Sequence, residues 1–148
     1  MKNFLKQTIF FALAGLSLSF SVPPENIISA GLQPQLSMDN MGVIRIVFGR
    51  TDSIFCSTSK DAGATFTKPN FVGHITDMHL GNTRGPQIAS SASFSVITAI
   101  DNKGNIHFFQ LTKSGDKWNY KGLINDIESS APEGLMSIAA DTRDNFYA

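Results

Sequence analysis

Three side chains have the chemistry that a functional site needs. Arg84 stands two residues before Pro86, and its planar guanidinium can bind a carboxylate through two parallel hydrogen bonds at any physiological pH. Asp52 and Glu133 are carboxylates, which can act as general acids or bases. The sequence holds no glycine-rich phosphate loop, no nucleophile elbow and no CxxC pair. Binding of a carboxylated ligand, with acid–base chemistry beside it, is therefore the chemistry that these residues offer.

His74, Asp77 and His79 form a second group of capable side chains. A His/Asp/His set can bind a metal ion, but these three share one irregular link with no further ligand cluster nearby. We therefore predict no metal and no cofactor, and we expect His79 to line a ligand pocket. Asp101 is expected to be solvated, and His107 to face solvent or a neighbouring sheet from its strand.

Charge and cysteine content exclude several classes of protein. The 148 residues carry 12 basic and 12 acidic side chains, with a formal net charge of zero and a pI near 6.8. Nucleic acids and anionic membrane surfaces attract clustered lysine and arginine, so neither is a predicted partner. The single cysteine, Cys56, cannot form an internal disulfide bond and is expected to be a small buried residue.

The N-terminal residues have the pattern of a secretory signal peptide, residues 1–21. Lys2 and Lys6 precede an apolar run over residues 8–20, and small residues lead to a cleavage site near Ser21. This run is shorter than the roughly 20 residues of a membrane span, so no span is predicted. The mature chain, residues 22–148, is expected to be secreted or periplasmic. The alternative is an amphipathic or buried N-terminal helix of the domain, but a helix packed on a domain would show polar residues at helical spacing.

The sequence repeats itself with a period near 52 residues. A shift of 52 superposes prolines, apolar residues and aromatics: Pro34 on Pro86, Ile54 on Ile106, and Phe66 on Trp118. Residues 141–148 echo residues 39–46 and begin a third copy. Within the first copy, short runs rich in β-branched and aromatic residues predict strands at 35–38, 43–48, 54–59 and 65–71, separated by turn residues.

Four antiparallel strands repeating at about 50 residues are the unit of a β-propeller blade. The predicted fold class is therefore all-β, a β-propeller of four-stranded antiparallel blades. An immunoglobulin-like sandwich is the rival all-β architecture, but it does not predict an internal repeat.

The third turn of the first copy carries a specific motif. Residues 59–66 read SKDAGATF and fit S-x-D-x-G-x-T-[WF] at every fixed position. Asp61 is expected to accept backbone hydrogen bonds, Gly63 to adopt a positive φ, and Phe66 to pack under the hairpin. With this motif the sequence resembles the sialidase-like β-propellers, whose blades carry the Asp box or BNR repeat. The resemblance covers residues 33–148.

The resemblance implies a six-bladed propeller, of which this chain holds about 2.4 blades. Blade 1 is expected at residues 33–73, blade 2 at 85–126 and the start of blade 3 at 132–148. The chain would then be an N-terminal fragment that is inactive and poorly folded alone. In the family the Asp box is structural, so Asp61 is not a predicted catalytic residue.

Blade topology places the second turn of each blade and the links between blades at one end, opposite the Asp box. Residues 84–86, RGP, resemble the family motif R-I-P, which implies that Arg84 grips a sugar carboxylate, although Gly85 replaces an apolar residue. Asp52 is the candidate acid or base. Arg50, Glu133 and His79 are the other expected substrate-binding residues at this end.

The function that the resemblance implies is that of an exo-α-sialidase-type glycoside hydrolase, which removes terminal sialic acid from glycans and sialoglycoconjugates. The alternative is a non-catalytic Asp-box propeller that binds extracellular glycan or protein. Sialidases use a tyrosine nucleophile. Tyr120 and Tyr147 are the only tyrosines here, and neither lies where the family places that residue.

Overall fold

The computed structural model describes residues 28–148, which form strands, turns and loops without any helix. Two four-stranded antiparallel sheets follow each other along the chain, and a two-stranded hairpin comes last. Sheet 1 consists of β1 (Leu32–Met38), β2 (Ile44–Arg50), β3 (Ser53–Ser59) and β4 (Asn70–His74). Sheet 2 consists of β5 (Gln87–Ser90), β6 (Phe94–Ile100), β7 (Ile106–Thr112) and β8 (Asn119–Leu123). The hairpin pairs β9 (Ala139–Ala140) with β10 (Phe146–Tyr147).

Two features of the structure bear on the expected architecture. The all-β class with four-stranded antiparallel sheets is confirmed, since each sheet has its strands paired in sequence order. Within residues 28–148 no helix is long and apolar enough to cross a membrane. The predicted signal peptide lies outside the described residues.

The second strand of sheet 2, β6, is covered on both faces. It is buried at every residue after Phe94, whereas β1 and β8 are largely exposed. The reason is that the first strands of successive sheets are neighbours, with β1 against β5 and β5 against β9. A strand enclosed on two sides carries mostly apolar side chains on both faces. This explains why β6, FSVITAI, is apolar apart from Ser95 and Thr98.

Three turns of the chain share one capping device. In each, the Oδ1 atom of an aspartate accepts the N–H groups of the residues two and four positions later, at 2.8 to 3.1 Å. The residue three positions later has a positive φ, which lets the chain reverse. These aspartates are Asp39, Asp101 and Asp141.

The Asp box has the local geometry that its spacing predicts. Asp61 accepts the N–H of Thr65 at 2.9 Å and the hydroxyl of Ser59 at 2.7 Å, and Gly63 has φ +89°. The side-chain and backbone hydrogen bonds of Thr65, followed by that of Ser59, lower the pKa of Asp61 to about 2. Every partner of this carboxylate among residues 28–148 lies within four residues of it, so Asp61 holds the turn together.

The prediction of a fourth strand at residues 65–71 is wrong, because β4 begins only at Asn70 and runs to His74. Thr67 donates its N–H to the carbonyl of Thr58 at 2.9 Å, and its hydroxyl accepts the N–H of Thr58 at 3.0 Å. This side-chain pairing replaces the regular ladder. Pro69 has no N–H to donate, so regular pairing starts after it.

The main core lies between the two sheets and contains residues of both. It includes Val47, Ile54 and Cys56 of sheet 1 and Ile97 and Phe109 of sheet 2. Cys56 is 2% exposed, which confirms that it is a small buried residue. Trp118, from the turn before β8, enters the same core and is 8% exposed.

Candidate functional site

Four segments interlock at one end of the sheets, which we call the link end: residues 50–53, 75–86, 100–106 and 124–134. Asp52 accepts the N–H of Ile75 on its carbonyl at 2.8 Å and the N–H of Met78 on its carboxylate at 3.3 Å. The carbonyl of Asp77 accepts the N–H of Asn102 at 2.9 Å. The second turn of each sheet and the link that follows β4 therefore lie together, at the end opposite the Asp box.

Arg84 and Glu133 meet at the link end. The Nε group of Arg84 donates to the main-chain carbonyl of Glu133 at 2.6 Å. A reciprocal pair of backbone hydrogen bonds with Gly81 holds the main chain of Arg84 in a tight turn. In residues 28–148 no carboxylate lies within ion-pair distance of this guanidinium. Its outer edge is therefore oriented by the protein and left without an acidic partner there.

His79 reaches the same place from the other side. Its ring packs against Gly134, so closely that a Cβ atom on Gly134 would stand 2.5 Å from the ring. The Nε2 atom of His79 is buried and has no hydrogen-bond partner among the described residues. The turn at residues 131–134 thus brings His79 and Glu133 beside Arg84.

Arg50 lies at the same end but is held by other residues. Its guanidinium donates to the hydroxyl of Ser29 at 2.6 Å and to the carbonyl of Ala30 at 2.7 Å. It also stacks 4.8 Å from the centre of the Phe55 ring. These contacts engage the Arg50 guanidinium with the segment before β1 and with β3.

Asp52 is half-buried, and its described hydrogen bonds go to backbone N–H groups of the link after β4 and not to another side chain. Its Oδ1 atom accepts the N–H of Met78, which lies in the segment leading to His79. The structure therefore connects Asp52 to the predicted ligand residues through the backbone between Met78 and Arg84.

A cleft of about 620 Å³ opens between β4 of sheet 1 and the β7–β8 hairpin of sheet 2. Its walls are residues 72–77 and 101–103 together with His107, Phe109, Trp118 and Tyr120. Trp118 also lines a second opening of about 470 Å³ on the Asp-box side. This tryptophan therefore separates the two openings between the sheets.

Three residues of the larger cleft form a hydrogen-bonded chain that the sequence analysis did not find. The Nε2 atom of His107 lies 3.2 Å from Oδ2 of Asp101, and its Nδ1 atom lies 3.1 Å from the hydroxyl of Tyr120. The Asp101 side chain is only 13% exposed, and the His107 side chain 18%. The expectation of a solvated Asp101 is therefore wrong. His107, expected to face solvent or a neighbouring sheet, faces sheet 1 across the cleft.

The charge of Asp101 is stabilised by its surroundings. Burial raises the pKa of this carboxyl group, but hydrogen bonds from Asn105, His107 and Lys103 outweigh that effect and hold the pKa at about 2. Asp101 is thus a carboxylate at neutral pH and accepts a hydrogen bond from Nε2 of His107. The D-x-x-G-N spacing of residues 101–105 is the sequence signal for this capped turn.

In the part of the chain that the structure describes, no group of three or more His, Cys, Asp or Glu side chains is placed to hold a metal ion. His74 and Asp77 line the cleft, whereas His79 packs against Gly134. Comparison of the chain with protein-family models, with curated proteins and with solved structures found no match.

Proposed function

We propose that this chain forms consecutive blades of an Asp-box β-propeller that acts outside the cytoplasm on carboxylated carbohydrate, as an exo-α-sialidase-type glycoside hydrolase. The blade assignment is supported by two meandering four-stranded sheets whose first strands, β1 and β5, are neighbours. The Asp box between β3 and β4 supports it further. The proposed location outside the cytoplasm rests on the sequence pattern of residues 1–21 alone.

The main support for a carboxylated ligand is the hydrogen bonding and the unpaired charge of Arg84. Its Nε group is bonded to the carbonyl of Glu133, which fixes the plane of the guanidinium without neutralising it. A planar, permanently charged group with an oriented outer edge suits a carboxylate, which it binds through two parallel hydrogen bonds. Among common sugars, sialic acids carry such a carboxylate on the ring carbon that forms the glycosidic bond.

The other predicted residues have supporting roles in this proposal. His79 and Glu133 border Arg84 and provide hydrogen-bonding groups for sugar hydroxyls. Asp52 is the candidate acid or base, and Arg50 would reinforce the positive potential of the link end.

The second candidate, a non-catalytic Asp-box propeller that binds extracellular glycan or protein, is favoured by the contact of Asp52. Its Oδ1 atom accepts the Met78 N–H, which is a structural use of the carboxylate that would serve as acid or base. The two candidates share the carboxylate-binding role of Arg84 and differ in whether a glycosidic bond is broken.

Binding is tested by titrating the full chain with free sialic acid and with its methyl ester, which keeps the sugar and lacks the charge. We expect Arg84→Ala to weaken sialic acid binding about 10- to 100-fold, because hydrogen bonds to a charged group contribute about 1.5–3 kcal/mol. Arg143→Ala is the matched control, since Arg143 is an exposed arginine on the β9–β10 turn. Equal affinity of wild type for the acid and the ester would contradict the proposal.

Catalysis is tested separately with a fluorogenic sialoside, in a complete propeller that contains these blades. The hydrolase is supported if the wild type releases the fluorophore and Asp52→Asn releases it at least tenfold more slowly. Binding of sialic acid without turnover would select the non-catalytic propeller. Turnover that is the same in wild type and Arg84→Ala would exclude Arg84 from substrate binding.

A further inference from the structure

We propose that the cleft between β4 and the β7–β8 hairpin is a second, reactive site, in which His107 activates Tyr120 as a nucleophile toward small carboxylic esters. This site uses none of the predicted sugar-binding residues Arg84, Glu133 and His79. It rests on a hydrogen-bonded chain of three side chains, on the cleft around it and on one cation in the cleft wall.

The order of the hydrogen bonds sets the direction of proton transfer. Asp101 is ionised at neutral pH, and both of its oxygens accept hydrogen bonds, so the Nε2 atom of His107 must carry the proton that they share. The Nδ1 atom of the neutral imidazole is then an acceptor, and it faces the hydroxyl of Tyr120 at 3.1 Å. Tyr120 therefore donates to a base that a buried carboxylate orients, as in the arrangement that activates a serine nucleophile.

Ring contacts hold Tyr120 in this position. Its ring centre lies 5.9 Å from that of His107 and 5.2 Å from that of Phe109, which belongs to the core between the sheets. Tyr120 is nevertheless 53% exposed and lines the cleft. The side chain is thus both held in place and open to the cleft.

The cleft has the size of a small-molecule site, and its wall holds one lysine. Its volume of about 620 Å³ lies within the range of small-molecule sites. Lys103 is an exposed residue of its wall, and no carboxylate within residues 28–148 lies at ion-pair distance from its ammonium group. A cation in this position can stabilise the oxyanion that forms when an ester carbonyl is attacked.

The reaction balances without any further reagent. The Tyr120 oxygen forms a bond to the carbonyl carbon while its proton moves to Nδ1 of His107. The bond between that carbon and the alcohol oxygen then breaks, and the leaving alcohol takes the proton from His107. Water next attacks the acyl-tyrosine, passes a proton to His107, and the departing phenolate of Tyr120 recovers it.

The chain contains its own control, because it has only two tyrosines. Tyr147 is exposed to a similar degree, at 61%, but its hydroxyl donates to Oδ2 of Asp141 at 3.3 Å. The hydrogen bond from the side chain of Asn145, and to a lesser degree the one from its backbone N–H, keeps the pKa of Asp141 below its ordinary value. Asp141 is therefore a poor proton acceptor. Exposure alone therefore predicts equal reactivity of the two tyrosines, and activation by His107 predicts unequal reactivity.

The experiment treats the full chain with p-nitrophenyl acetate, stops the reaction in acid within the first turnover, before the acyl-tyrosine hydrolyses, and measures acetylation of each tyrosine by peptide mass spectrometry. We expect Tyr120 to be acetylated about 100-fold faster than Tyr147, which is the contribution of a positioned general base. His107→Gln should reduce the rate at Tyr120 to that at Tyr147, and Tyr147→Phe should release p-nitrophenolate as fast as wild type. Because the two tyrosines are compared within the wild-type chain, the test does not depend on the folding of any variant. Equal rates at the two tyrosines, or acetyl groups on lysines alone, would overturn the proposal.

Discussion

Gly73 of β4 lies against the ring of Phe109 of β7, so closely that a Cβ atom on Gly73 would stand 2.3 Å from a ring carbon. The two residues belong to different sheets, and Phe109 is 3% exposed. The missing side chain of Gly73 thus creates the space that the aromatic ring fills. This contact fixes how closely sheet 2 can approach sheet 1, and it lies in the wall of the larger cleft.

Gly73→Ala should therefore destabilise the protein by about 1–3 kcal/mol, because an added methyl group in a packed core forces its neighbours to move. Urea unfolding measures the change. Ser137→Ala, at an exposed position outside the strands, is the control and should leave the midpoint unchanged. Unfolding of Gly73→Ala at the same urea concentration as wild type would show that the Phe109 ring does not fill the space beside Gly73.

A second prediction concerns the ion pair of Asp39 and Arg45. Their nearest nitrogen and oxygen atoms are 2.9 Å apart, and the side chains are 7% and 11% exposed respectively. Asp39→Ala should cost about 3–5 kcal/mol, because it leaves a buried guanidinium without its carboxylate. The expected result is a large fall in the free energy of unfolding, most of which Asp39→Ala/Arg45→Met recovers.

Asp141 provides the matched control for this pair. It caps the β9–β10 turn with the same two backbone hydrogen bonds that Asp39 makes, but it has no buried arginine beside it. Asp141→Ala should cost about 1 kcal/mol, the usual effect of losing a side-chain cap. Similar costs for the Asp39 and Asp141 variants would mean that the ion pair contributes nothing.

The strands of sheet 1 show which parts of the fold can be predicted from the sequence pattern. The β-branched and aromatic residues of segments 43–48 and 54–59 predict two strands, and the structure has β2 at Ile44–Arg50 and β3 at Ser53–Ser59. A local pattern succeeds here because such side chains fit the pleated, half-buried surface of a strand. It fails at β4, where Thr67 pairs with Thr58 through its side chain and Pro69 interrupts the ladder.

The 52-residue repeat locates both sheets but does not superpose their outer strands. The β2–β3 turn has two residues, 51–52, whereas the β6–β7 connection has five, 101–105. The β3–β4 connection has ten residues, 60–69, and the β7–β8 connection only six, 113–118. These differences in loop length shift the register within the repeat, and a fixed offset cannot follow them.

The hydrogen-bonded chain of Asp101, His107 and Tyr120 could not be predicted from the sequence, because it also depends on the register between strands. His107 and Tyr120 lie on paired strands, and a bulge at Phe108 and Phe109 changes the pairing between them. Alternation along β7 alone does not show which partner His107 meets. The turn at Asp101 is visible in the sequence, but its contact with His107 depends on the folded hairpin.

A third prediction is that Cys56 is unreactive in the folded protein. The side chain is 2% exposed, and burial raises the pKa of its thiol to about 12. A thiol-specific reagent should label it slowly at pH 8, because the reactive thiolate is scarce and enclosed. Labelling in urea above the unfolding midpoint should be complete within the mixing time of a manual assay. Equally fast labelling in native buffer would show that the core between the sheets is open.

The last prediction concerns acid and the Asp box. Because hydrogen bonds from Thr65 and Ser59 lower the pKa of Asp61 to about 2, the folded state favours the ionised carboxylate more than the unfolded state does. Its stabilising effect is therefore complete above the ordinary aspartate pKa, near 4, and is lost as the pH falls through about 2. Asp61→Asn keeps the size of the side chain and removes the charge, so it should melt below wild type at pH 7. The difference in melting temperature should shrink between about pH 4 and pH 2. A difference that persists unchanged at pH 2 would show that shape, and not charge, accounts for the role of Asp61 in the turn.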